Sequence, residues 1–127
     1  MRYFFQDSFI RTIRQLLKKN SYKDCEQALV NAVFKTSKKD LFVKCAAHRL
    51  NPNAKNPIVK MRIAGRRGKS SSYRLYFFVI QHKDELYFGH LYPKTGSRGQ
   101  NALKVKEEKN VIKTLLEEIK NKSLIEV

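Results

Sequence analysis

Between Ile58 and Arg74 the chain carries six lysines or arginines (Lys60, Arg62, Arg66, Arg67, Lys69 and Arg74) and no Asp or Glu. Fixed cations at that density attract phosphates. Lys60 and Arg62 are two apart, so on a strand they share one face. Crowding by other cations lowers a lysine's pKa toward neutrality, which would let Lys60 exchange a proton with a hydroxyl or a leaving oxygen. A solvated strand face with two basic residues is an equally ordinary reading. Arg74 keeps its charge at any physiological pH, and its planar fork can hold two phosphate oxygens, or pair with a carboxylate. Tyr92 could stack on a base or assist proton transfer, or simply pack with its hydroxyl in water. Lys94 suits a phosphate contact. His90 shares strand parity with Tyr92 and is the usual type of proton carrier near neutral pH, with a half-buried, hydrogen-bonded histidine as the plainer reading. His48 and His82 have less to recommend them. The GRRGK run is not a phosphate-binding P-loop, because its spacing is wrong and a strand follows it.

The rest of the chain agrees with an anionic partner. Its formal charge is +16 over 127 residues. No acid lies between Asp40 and Asp84 or between Glu85 and Glu107. Self-repulsion of that size costs stability and is usually kept where a polyanion relieves it. Nucleic acid is the expected partner, and an acidic protein that masks the basic face is a second. Membrane adhesion is not expected, since no segment is apolar long enough to span a bilayer. The 42% apolar content, with 8 Phe and 6 Tyr, places the chain among globular proteins and predicts one domain over residues 1–127. Cys25 and Cys45 stand apart from any CxxC or Cys/His cluster, so no metal, cofactor or disulfide framework is expected. The opening MRYFFQDSF has too short an apolar run for a signal peptide, and a reduced, cytoplasmic protein is expected.

The elements that must position these residues follow from periodicity. Arg2 to Phe5 reads as a short strand, stopping where Asp7 and Ser8 could cap a helix running to about Lys19. Ser21 and Asp24 resemble a capping box for a second helix with Tyr22, Cys25, Ala28, Leu29, Ala32 and Val33 on its buried face. The short join predicts an antiparallel helical hairpin. Leu41 to Leu50 could form a helical turn or two, and Asn51 to Pro57 reads as a loop. Ile58 to Ala64 alternates like a strand with one wet face. A Gly, Ser and basic loop follows from Gly65 to Ser72, then strands over Tyr73 to Gln81 and Glu85 to Tyr92 joined at His82, Lys83 and Asp84. A last helix, about Lys106 to Lys122, offers Val111, Ile112, Leu115, Leu116 and Ile119 to cover the sheet. The expected class is α+β: a small antiparallel β-sheet meander packed against an N-terminal helical hairpin, with a C-terminal helix.

Taken in order, K-x-R at Lys60 and Arg62, a loop containing Gly, Ser and Lys, Tyr73-Arg74 opening an aromatic strand, a tight turn, a second aromatic strand ending in Y-x-K at Tyr92 and Lys94, and a final helix resemble the RelE/HigB toxins of bacterial toxin–antitoxin systems. The likeness follows element order from Tyr3 to Lys120 and is specific over Ile58 to Lys94, nearest to the HigB-like branch. It implies a metal-independent endoribonuclease that cleaves mRNA at the ribosome, inhibits translation and is neutralised by a cognate antitoxin. Carried over residue by residue, it implies catalytic roles for Lys60, Arg62, Arg74, Tyr92 and Lys94. Arg66, Arg67 and Lys69 would make adaptable contacts to RNA or ribosomal RNA from the loop. Some family members have an arginine directly after the last lysine and a tyrosine further along, where this chain has Thr95 and, approximately, Asn101. Arg98 could replace that arginine as an RNA contact, and the general acid or base is left open. Two other readings stand beside this one: a ParE-like inhibitor of DNA gyrase that cuts nothing, and a non-catalytic RNA-binding module.

Overall fold

Backbone pairing in the aromatic part of the chain sets the architecture. The computed structural model describes residues 1–51, 56–65, 68–94, 99 and 102–126, with residues 68–71 as backbone alone. Its strands are β1 (Arg2–Phe5), β2 (Ile58–Gly65), β3 (Gly68–Ile80), β4 (Glu85–Pro93) and β5 (Ile125–Glu126). Its helices are α1 (Asp7–Leu17), α2 (Cys25–Leu29), α3 (Lys38–Ala47) and α4 (Val105–Asn121). The strands form one five-stranded sheet in the order β2-β3-β4-β1-β5.

This overturns the expected antiparallel meander on a helical hairpin. The sheet is mixed: β2, β3 and β4 pair antiparallel, but β1 lies parallel to β4, from Arg2 opposite Glu85 to Phe5 opposite Phe88. β5 then pairs antiparallel with the outer edge of β1. The reason lies in β4. All of its residues except His90 are buried, so an open edge there would strand backbone groups away from water. The aromatic β1 closes that edge. Tyr3 and Phe5 stack on Phe88 on one side, and Phe4 stacks on Tyr87 on the other.

The helical part also departs from a hairpin. Ser21 and Asp24 do not form a capping box. Ser21 sits in a 3-10 turn (Asn20–Tyr22), and Asp24 precedes α2 without a side-chain cap bond. Its carboxylate instead accepts a 2.6 Å hydrogen bond from the Tyr73 hydroxyl. A partner 49 residues away has displaced the local one. After α2 the helix widens over Val30–Phe34, where Lys35 N–H donates to Val30 O at 2.8 Å. α3 is then a full helix, capped by Ser37, whose Oγ accepts from Asp40 N–H. The helices bury Phe9, Leu16, Cys25, Leu29, Val33, Leu41 and Cys45 against Val59, Met61, Ile63, Leu75, Phe77, Leu86, Phe88 and Leu91 of the sheet. Burial pushes both cysteine thiols up to about 11, which makes them unreactive.

α4 packs on the other face. Its Leu115 is buried, while Leu116, expected to face the sheet, is 39% exposed. β4 meets it at Gly89, the extra residue of a bulge opposite Tyr76 and Phe77. A Cβ at Gly89 would come within 2.8 Å of Leu115 Cδ2, so the missing side chain lets the helix approach. The expected loop from Gly65 to Ser72 is mostly strand: Gly65 pairs with Gly68, which leaves only residues 66–67 between β2 and β3. At the other hairpin Asp84 takes a left-handed conformation, with φ 53°, which Asp tolerates better than most residues. Of the expected loop from Asn51 to Pro57, residues 52–55 lie outside the described residues. Its flanks are tied by Asn51, which donates to Asn56 O and accepts from Ile58 N–H, each at 2.8 Å. No helix among the described residues is long and apolar enough to cross a membrane.

Candidate active site

Residues paired across neighbouring strands share a face of the sheet. The register therefore groups side chains that are far apart in sequence. Arg62 lies opposite Arg74, and Arg74 opposite Tyr92. Two residues along, Lys60 lies opposite Tyr76, and Tyr76 opposite His90. Six side chains from three strands thus make two adjacent rows on the face that α4 covers in part.

The row of Arg62, Arg74 and Tyr92 is electrostatically unbalanced. Like charges directly opposite one another destabilise a strand pair, and among the described residues no carboxylate pairs with Arg62 or Arg74. Arg62 is exposed and Arg74 half-buried. The Nη1 of Arg74 is buried without a hydrogen-bond partner, an arrangement that costs free energy until an acceptor arrives. Tyr92 is only 5% exposed. Its hydroxyl lies near Tyr76 and the Leu103 backbone without completing a well-directed hydrogen bond to either. Burial raises its pKa and the nearby Arg74 charge pulls it partly back. The phenol stays protonated near neutral pH.

The row of Lys60, Tyr76 and His90 is compensated by α4. Glu108 Oε2 accepts a 2.6 Å hydrogen bond from the Tyr76 hydroxyl and lies 3.5 Å from Lys60 Nζ. Lys60 Nζ also stands 5.7 Å from the centre of the Tyr76 ring. Burial, then the bond to Glu108, push the Tyr76 phenol far above its ordinary value. Burial lowers the His90 pKa, and Glu107 opposes that only in part. His90 is therefore neutral near pH 7.

The sequence-derived candidates divide accordingly. Lys60, Arg62, Arg74 and Tyr92 come together in the array. Lys94 follows directly after β4, with its N–H donating to Ser72 O at 3.0 Å. Arg66, Arg67 and Arg98 lie outside the described residues, and Lys69 is described by its backbone alone. Two members of the site were not anticipated. Tyr76 stands two positions after Arg74 on the same strand, and that parity was a readable signal. Glu108 is 48 residues from Lys60, in a helix turn where acids are common anyway, and nothing local marked it.

Among the described residues no cluster of His, Cys, Asp or Glu is arranged to hold a metal ion. Comparison with protein-family models, with curated proteins and with solved structures found no match.

Proposed function

We propose that this chain is a metal-independent endoribonuclease of the RelE/HigB toxin kind, which cleaves messenger RNA on the ribosome in the cytoplasm and is held inactive by a cognate antitoxin. The observation that carries the reading is the row of Arg62, Arg74 and Tyr92: two paired arginines that, among the described residues, have no carboxylate between them, one with a buried N–H group lacking a partner. An RNA phosphate supplies both the charge and the acceptor that this row lacks. Attack of a ribose 2′-hydroxyl on phosphorus puts extra negative charge on the phosphoryl oxygens. A fixed guanidinium aimed at them is worth about a hundred- to a thousandfold in rate. Arg74 is the donor best placed for it, Arg62 and Lys94 hold flanking phosphates, and the face of Tyr92 is a platform for a base.

The test is a primer-extension map of mRNA in a translating bacterial extract. The arms are the wild type, Arg74→Ala, and an extract stalled before the protein is added. Cuts in phase with codons are expected, lost in the variant and in the stalled extract. Intact mRNA beside folded wild-type protein would sink the reading, and inhibited gyrase supercoiling would then point to a ParE-like poison.

A further inference from the structure

We propose that Glu108, brought onto the strand array by α4, is the catalytic base that takes the proton of the attacking 2′-hydroxyl. This rests on the nuclease reading above and supplies the group that reading lacks. The neighbouring side chains are poor acceptors or are less well placed. Tyr76 and Tyr92 are held protonated by burial. Lys60 and Arg74 are cations, and His90, though neutral, is half-buried and stands two strands from Lys60 with Tyr76 between them. Glu108 differs in two ways. Its Oε2 is fixed by Tyr76 at 2.6 Å and by Lys60 at 3.5 Å, and its side chain is still 29% exposed, with Lys60 at 26%. It is oriented by the sheet and open to a ligand.

Spacing along β3 supports the assignment. Arg74 stands one row from Tyr76 on the same face, roughly 7 Å along the strand. A ribose hydroxyl bonded to the carboxylate and a phosphoryl oxygen bonded to the guanidinium fit between groups so spaced. The groups facing Glu108 are Lys60 from β2, Tyr76 from β3 and Tyr92 from β4.

The step balances within these groups. The 2′-hydroxyl proton passes to the Glu108 carboxylate as O2′ bonds to phosphorus. The bond from phosphorus to O5′ breaks, and the Lys60 ammonium gives O5′ its proton. The products are a 2′,3′-cyclic phosphate and a 5′-hydroxyl. Proton return from Glu108 to Lys60 then restores the pair.

The experiment uses ribosomes programmed with a short mRNA and measures single-turnover cleavage from pH 5 to 8 for wild type, E108Q and E108D. The glutamine amide oxygen still accepts from Tyr76, so E108Q keeps the docking bond, which its melting temperature and ribosome affinity check. Expected is a fall of about 10²- to 10⁴-fold in rate, with partial recovery in E108D. Cleavage by E108Q at the wild-type rate and pH profile would reduce Glu108 to a strut that docks α4. Faster cleavage would make it a mask over the cations. Either result overturns the assignment while the nuclease reading stands, whereas a wild type that leaves the programmed mRNA intact removes both.

Discussion

The two faces of the sheet solve opposite problems with the same three strands. Toward α1, α2 and α3, every residue from Val59 through Leu75 and Phe77 to Phe88 and Leu91 is apolar and excluded from water. Toward α4, the alternate positions carry Lys60, Arg62, Arg74, Tyr76, His90 and Tyr92, and one carboxylate from the helix balances part of their charge. Stability resides on the first face. The second carries groups whose interactions inside the protein are incomplete, and such groups are expected where a ligand completes them.

The largest effect that tests this contrast is on the dry face. Phe88 is fully buried and rings from Tyr3, Phe5, Phe9, Phe34 and Phe77 surround it. Phe88→Ala should cost about 3–5 kcal/mol in denaturant unfolding, much of what a domain of this size has. Arg62→Ala, on the other face, should leave stability within about 0.5 kcal/mol. It should instead flatten the salt dependence of RNA binding by about 0.7–0.9 in the log–log slope. If Arg62→Ala unfolded the protein, the division between the faces would fail.

Tyr76→Phe comes next, because it touches both roles. It removes the 2.6 Å bond to Glu108, and a destabilisation of about 1 kcal/mol is expected, small because the partly exposed carboxylate regains water. The smallest effect is a pH dependence. His90 has a folded-state pKa below the ordinary 6.5, so between the two values the unfolded chain binds more protons than the folded one. Stability is then full above about pH 6.5 and declines as pH falls below it. His90→Gln should remove that part of the slope in denaturation curves taken from pH 5 to 8, and an unchanged slope would assign it to other groups.

Legibility from sequence differed in the same way between local and distant features. The alternation in Ile58 to Ala64 and the aromatic runs after it marked β2, β3 and β4, and with them the parity that unites Lys60, Arg62, Arg74 and Tyr92. What escaped depended on partners far along the chain. β1 was readable as a strand, but its parallel place beside β4 is decided by a buried edge more than 80 residues away. Asp24 looked like a cap because the hydroxyl of Tyr73 is invisible to a local pattern. The basic run after Gly65 read as a loop from its Gly and Ser content, although pairing with the preceding strand extends β3 back to Gly68. Glu108 meets Lys60 from a helix that packs Leu115 against Gly89, a docking no local pattern marks.

The position of β1 between β4 and β5 also sets a timetable. Arg2 pairs in register with Glu85 and forks onto the carboxylate of Glu126, partners 83 and 124 residues later. Contacts this distant slow folding, because the loop must close before they form. During synthesis at about 5–20 residues per second, several seconds separate the appearance of β1 from that of β4. Until then the first strand has no partner in the sheet, and the row of Arg62 and Arg74 lacks Tyr92. On the nuclease reading, no competent cutting surface exists until the ribosome has translated this chain past α4.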